Sequence, residues 1–259
     1  MTALTSVVLV GPQGSLNIGS VARTMLNFGL EELRLVNPAV SHLNDEARRM
    51  AVKAVHILEQ ARIYPNLKAA LADCNLALGA TRRFGKYRRD FLHPWQAAGQ
   101  IIDLADHNRA ALVFGREDHG LSTDEIDLCQ RLITIPVHDR LPSLNLAQAV
   151  TVCLYELHKA RRSTARDKNR RPEKTMAPGA ALEAMCRHMR QTLLDIDFLD
   201  HQNPDHITRA FRQIFGRAGL NNREVQIMQG LWSRIDWLRQ NSVQHKKRPS
   251  VHHNQSSKG

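Results

Sequence analysis

Apolar residues fall into two rhythms along the first 160 positions. Short runs of strand type occur at Ser6–Val10, Leu33–Val36, Asn75–Gly79, Ala111–Phe114 and Leu132–Pro136, separated by segments with helical period. That alternation predicts a mostly parallel α/β sheet. The clearest helix of this half places Ala47, Met50, Ala51, Ala54, Val55 and Leu58 at spacings of three and four, with Arg48, Arg49, Lys53 and Glu59 opposite, so it should cover one sheet face. Ser122 and Glu125 stand at capping-box spacing and announce a shorter helix. A further helix is expected from Leu146 to about Ala160.

From Arg161 to Pro178 the chain turns strongly polar, with Pro172 and Pro178 as helix breakers, which reads as a linker. Three helical patterns follow, roughly 180–196, 204–217 and 222–239, divided by Asn203-Pro204 and by Gly219 to Asn222. Within the last of them Val225, Met228, Trp232 and Ile235 form a stripe that reads as helical core, and Trp237 is read in the same way. After about residue 241 periodicity ends and disorder is expected. The expected organisation is therefore an α/β unit over 1–161, a basic linker over 162–178, an all-helical unit over 179–240 and a basic tail over 241–259.

Length and composition add limits rather than detail. The 259 residues are 42% hydrophobic, enough for a real core in one large or two modest domains. No window approaches the roughly 18 apolar residues a membrane span needs, and the first ten residues lack a basic leader, so a cytoplasmic protein is expected. The cysteines, Cys74, Cys129, Cys153 and Cys186, form no Cys-x-x-Cys pair and read as reduced, mostly buried thiols. The 13 histidines show no ligand spacing, so no metal is expected.

Charge changes the picture more. The net charge is +11, and it is concentrated: residues 159–174 carry a net +6, the segment 82–90 a net +4 and the tail from 241 a net +4, which leaves the rest slightly acidic. Localised basic clusters are the footprint of a protein that neutralises phosphates. In the 82–90 segment Phe84 and Tyr87 interleave with Arg82, Arg83, Lys86, Arg88 and Arg89, the composition used to stack and neutralise unpaired RNA. Arg161 and Arg162 at the head of the linker are candidates for the same work.

Three stretches stand where a strand-like run gives way to a loop and a helix: Pro12 to Arg23, Leu112 to Leu121, and Ile135-Pro136 leading to Ser143 and Val150. In α/β sheets that edge binds ligands, because strand ends and helix starts present unsatisfied backbone groups there. Gly11, Gly14 and Gly19 do not fit G-x-G-x-x-G, and no lysine follows for a Walker loop, so a dinucleotide or nucleotide-phosphate site is set aside. On the helix after Asn17, Val21, Met25 and Phe28 share a face that leaves Arg23 towards a polar space. Gly115 would let a ligand approach the backbone, with Glu117 following it. Ser143 and Asn145 open an apolar helix, where either could also serve as an N-cap.

Taken as an ordered set over most of residues 5–160, these motifs resemble the TrmH-like branch of the SPOUT RNA methyltransferases, and the full-length pattern resembles its tRNA ribose 2′-O-methyltransferases. The resemblance implies a SPOUT parallel sheet with a C-terminal trefoil knot followed by a small all-helical tRNA-binding domain, a homodimer, S-adenosylmethionine as cofactor and tRNA as substrate. The reaction implied is methylation of a ribose 2′-hydroxyl, at the cytidine or uridine of position 32 in the anticodon loop. Ala80, Thr81, Arg82, Gly115, Ile135, Pro142, Ser143 and Leu144 match the cofactor-contacting positions, with any contact at Pro142 made through its backbone. Asn17 and Arg23 match the first motif's asparagine and essential arginine. With a pKa above about 12 a guanidinium is a poor base, so Arg23 is read as stabilising the developing alkoxide, with Asn17, Glu117, Ser143 and Asn145 orienting the site. The alternatives are a 2′-O-methyltransferase for ribosomal RNA or another tRNA site, and a noncatalytic RNA-binding factor on the same scaffold.

Overall fold

The computed structural model describes residues 4–82, 91–164 and 175–246. The candidate RNA contacts Arg83, Lys86, Arg88 and Arg89, most of the linker and the tail from 247 lie outside the described residues. Seven strands, β1 (Leu4–Val10), β2 (Leu33–Val36), β3 (Arg62–Tyr64), β4 (Leu76–Ala80), β5 (Phe91–Leu92), β6 (Arg109–Phe114) and β7 (Arg131–Ile133), form one sheet in the order β3-β2-β1-β6-β4-β7-β5. Every pairing is parallel. All carboxyl ends therefore share one edge, and the four central neighbours β1, β6, β4 and β7 deliver the motif loops side by side.

The strands are apolar on both faces because both are covered. The helices run α1 (Ser15–Asn27), α2 (Asp45–Ala51), α3 (Val55–Glu59), α4 (Leu67–Ala70), α5 (Pro94–Ile102), α6 (Thr123–Asp127) and α7 (Leu146–Thr164). Val7, Leu9, Leu35, Leu78 and Leu112 point to one face and pack with α1, α2, α3, α5 and α7. Their strand neighbours Val8, Val10, Val36, Ala77 and Val113 point to the other and meet Leu67, Leu71 and Ile126 on and beside α4 and α6. Beyond the linker, α8 (Gly179–Asp195), α9 (Asp205–Ala218) and α10 (Asn222–Lys246) enclose a separate core around Met185, Met189, Phe215, Val225 and Trp232.

Several expectations need correction. The strands β3 and β5 are not visible in the pattern, and β7 stops at Ile133, short of the expected Pro136, its last rung being the Thr134 N–H that donates to the Leu92 carbonyl at 2.9 Å. The apolar face over 47–58 is real, but its helix is broken: Val52 takes a φ of +54° and a short 3₁₀ turn, Val52–Ala54, separates α2 from α3. The helix α7 continues to Thr164, past the expected boundary at 161, and α10 continues to Lys246, past 240. Trp232 is buried as expected, but Trp237 is 48% exposed, with the Arg234 guanidinium 4.1 Å from its ring centre.

Candidate active site

The loops after β4, β6 and β7 and the start of α7 enclose an open cleft of about 240 Å³. Ala80, Thr81 and Arg82 enter it from β4, Gly115 and Glu117 from β6, Ile135 from β7, and Pro142, Ser143 and Leu144 from the approach to α7. All eight residues matched to cofactor contacts therefore face one space. Its lining mixes apolar side chains, including Phe114, Ile133, Ile135 and Leu146, with polar ones, including Thr81, Arg82, Glu117, Asp118 and Ser143. A flat heteroaromatic ring bearing a charged polar tail fits that mixture.

Gly115 is required for a reason other than ligand approach. A Cβ there would lie 2.1 Å from the Gly120 carbonyl carbon and 2.2 Å from the Leu121 nitrogen. The 116–120 loop folds back on it, with the Gly120 N–H donating to the Arg116 carbonyl at 2.9 Å. Gly11, at φ +56°, gives similar close passage to Arg116, whose Nε would lie 2.8 Å from an added Cβ. The Arg116 guanidinium forks onto both oxygens of Glu125 at 3.0 Å, and Glu125 also accepts from the Ser122 N–H at 2.7 Å. Burial pushes the Glu125 carboxyl up, and these bonds outweigh it, holding the group below the usual range. The arginine that fixes the second motif's loop was not singled out in the sequence, although it stands within the motif.

The three motifs are tied by one hydrogen-bond chain. Asn17 Nδ2 donates to Glu117 Oε1 at 2.9 Å, and Asn145 Nδ2 donates to Asn17 Oδ1 at 2.9 Å. The backbone N–H groups of Gln13 and Gly14 donate to the two Glu117 oxygens at 2.9 and 3.1 Å. The Gln13 side chain donates to Asp118 at 3.1 Å, which holds that carboxyl below its ordinary range. Asn145 also caps α7, its Oδ1 accepting from the Ala147 N–H at 2.8 Å. Asn145 thus caps α7 through its oxygen and meets Asn17 through its nitrogen. Of the five proposed catalytic residues, Glu117 and Ser143 line the cleft, while Asn17 and Asn145 stand behind Glu117.

Arg23 stands apart. It is exposed on α1, does not line the cleft, and makes no hydrogen bond or ion pair among the described residues. Arg161 is half-buried near the amino end of β1, donating to Thr5 Oγ1 at 2.9 Å. Arg162 is exposed. Among the described residues no cluster of three or more His, Cys, Asp or Glu side chains could hold a metal, and no helix is long and apolar enough to cross a membrane.

A parallel α/β sheet with its cleft at the strand ends and a separate helical unit defines the class, and comparison with known proteins agrees. The profile of the SpoU rRNA Methylase family matches residues 5–155, and that of the tRNA methyltransferase TrmJ C-terminal domain matches residues 180–248. The tRNA (cytidine/uridine/adenosine-2′-O-)-methyltransferase TrmJ of Pseudomonas aeruginosa is 35% identical over 235 residues, 87% of this chain and 91% of that protein. The tRNA (cytidine-2′-O-)-methyltransferase TrmJ of Methanocaldococcus jannaschii is 33% identical over 229 residues, 87% of this chain and 96% of that protein. The crystal structure of TrmJ from Z. mobilis ZM4 superposes with a TM-score of 0.77 at 33% identity, covering 90% of this chain and all of that one. The chain belongs to the SpoU methylase family and, within it, to the TrmJ group.

Proposed function

We propose that this protein methylates a ribose 2′-hydroxyl in tRNA, using S-adenosylmethionine, at the cytidine or uridine of position 32 in the anticodon loop. The carrying observation is the cleft: loops from three neighbouring strand ends and the start of α7 meet around a part-apolar, part-polar space whose lining includes every matched cofactor position. S-adenosylmethionine, when bound, supplies an already activated methyl group, so the protein need only bind, orient and help remove a proton. In this reading Ile135 and Leu144 hold the apolar part of the cofactor and the backbone at Pro142 contributes contact without a side-chain bond. Thr81, Arg82 and Ser143 hold its polar part, with Ala80 and Gly115 completing the wall.

Glu117 keeps the first motif's loop against the cleft through its bonds to Gln13, Gly14 and Asn17, and Asn145 extends that hold to the third motif. Arg23, exposed outside the cleft, acts on the RNA side by stabilising the developing alkoxide and gripping the adjacent phosphate. We further propose that the segment between β7 and α7 forms a trefoil knot and that the protein works as a homodimer in the cytoplasm. The α/β unit is assigned to catalysis, and the helical unit, the basic residues Arg83, Lys86, Arg88 and Arg89, and Arg161 and Arg162 to tRNA binding.

Mass spectrometry of nucleosides from unmodified tRNA incubated with the protein and S-adenosylmethionine tests the reaction. A 2′-O-methylated pyrimidine is expected, mapped to position 32. Arg23→Ala should abolish the product while leaving cofactor affinity by calorimetry nearly intact. Normal turnover by that variant would remove the role given to Arg23.

A further inference from the structure

Trp95 is a large apolar side chain left 52% exposed on the second residue of α5. Its indole stacks on the His93 ring, with centroids 4.4 Å apart and planes 15° from parallel, so His93 backs one aromatic face of a side chain that stays half-exposed. The pair is held rigidly. Pro94 occupies the first turn of the helix with its φ fixed by the ring, and Gln96 Oε1 accepts from the His93 N–H at 2.8 Å.

Its location points to what it serves. Strand β5 pairs in parallel with β7, Leu92 opposite Ile133, and the Leu92 carbonyl accepts from the Thr134 N–H. Ile133, Thr134 and Ile135 line the cleft, and His93 and Trp95 follow the neighbouring strand β5 at the same carboxyl end of the sheet. The exposed guanidinium of Arg82 stands at the mouth of that cleft. An exposed aromatic at the sheet edge that also carries the cleft matches one need of an unpaired base, a surface on which its ring can stack.

We propose that the Trp95 indole, backed by His93, is a stacking platform for an unpaired base of the RNA substrate near the ribose that is methylated. The inference rests on the tRNA methyltransferase reading above. A platform assembled before binding loses little entropy on contact, and stacking tolerates any base, so it would add affinity for a looped strand without adding sequence preference. Trp95 is then a substrate-positioning residue, distinct from the groups that hold the cofactor.

The test compares wild type, Trp95→Ala and Trp95→Phe in steady-state methylation of an unmodified tRNA transcript, with cofactor affinity by calorimetry and oligomeric state by sedimentation. Trp95→Ala should lower kcat/KM by about 10-fold to 100-fold, chiefly through KM, and Trp95→Phe should recover most of the loss. Cofactor affinity and oligomeric state should match wild type in both. Unchanged kinetics in Trp95→Ala beside an active wild type overturn the platform alone, whereas a wild type that leaves tRNA unmethylated overturns the enzymatic reading as well. A loss confined to kcat, or a change of oligomeric state in Trp95→Ala, assigns the indole to folding or to a second copy of the chain and also overturns it.

Discussion

Arg34 is 1% exposed and charged, a combination that persists only when every donor finds a partner. Its guanidinium bonds Glu32 at 2.6 Å, Asp73 at 2.9 Å and the Ala70 carbonyl at 2.6 Å, and Arg109 bonds Glu32 at 3.0 Å from β6, two strands away across β1. Together these groups pin β2, β6 and the chain after α4 at the amino end of the sheet, opposite the cleft. Arg34→Ala leaves Glu32 and Asp73 with only the half-exposed Arg109 as cation and should cost about 3 kcal/mol in urea denaturation, with kcat at saturating substrate little changed. The Arg34 bond holds the Asp73 carboxyl below the ordinary carboxylate range. A depressed acid contributes stability above its unfolded pKa of about 4 and loses it as pH falls through the folded value. Stability should therefore fall below about pH 4 more steeply in wild type than in Asp73→Asn, by a modest margin because the Asp73 side chain is 47% exposed. Individual residues of this kind were only partly legible beforehand. Arg34 lies in a run read simply as strand, and the bonds from Asn17 to Glu117 and to Asn145 join positions 100 and 128 residues apart, a separation no local pattern encodes.

The short helix α6 shows how an element can govern a site it does not enter. Ser122 Oγ accepts from the Glu125 N–H at 3.3 Å, while the Glu125 carboxylate accepts from the Ser122 N–H and from both arms of Arg116. Ser122→Ala removes one cap bond and should lower stability by about 1 kcal/mol without altering cofactor affinity. Glu125→Ala also frees Arg116 and the loop that Gly115 receives, so calorimetry should show a clear rise in the Kd for S-adenosylmethionine. Equal affinities in the two variants would detach α6 from the cleft. The capping box and the central strands were readable in advance because each is written locally, in a spacing of three or in an unbroken apolar run. Arg62–Tyr64 and Phe91–Leu92 escaped for the opposite reason: they are three-residue and two-residue edge strands whose pairing comes from neighbours rather than from their own pattern. The break at Val52 was invisible because apolar spacing continues through it, and Trp237 was assigned to the core because a stripe along α10 does not reveal where neighbouring helices end. The eight cleft positions came from family resemblance, and spacing alone would have yielded only the edge on which they lie.

At the scale of the molecule, the helical unit has its own core yet sits against the α/β unit at unusually close range. An added Cβ on Gly179 would lie 2.7 Å from the Leu71 carbonyl oxygen, and one on Gly216 would lie 2.8 Å from the Gln130 carbonyl oxygen. The Gly179 N–H donates to the Cys74 carbonyl at 2.7 Å, Asn75 Nδ2 donates to the Met176 carbonyl at 2.6 Å, and Arg209 pairs with Asp127 at 2.6 Å. Backbone contacts of this kind hold two units in one orientation, which matters if one unit binds RNA while the other presents the cofactor. Gly216 makes the point testable because its two effects have opposite signs. Inside an isolated helix Gly→Ala stabilises by about 0.5–1 kcal/mol. Here the new methyl meets a backbone oxygen that cannot rotate away, so the interface must open. Gly216→Ala combined with Gly179→Ala should convert one calorimetric unfolding transition into two, the helical unit melting separately. The same variant should keep its affinity for S-adenosylmethionine and lose methylation rate on tRNA, because the cleft is intact while its orientation to the RNA-binding unit is not. A single transition at a raised Tm would mean that helix propensity outweighs the contact and that the two units are not fixed through these glycines.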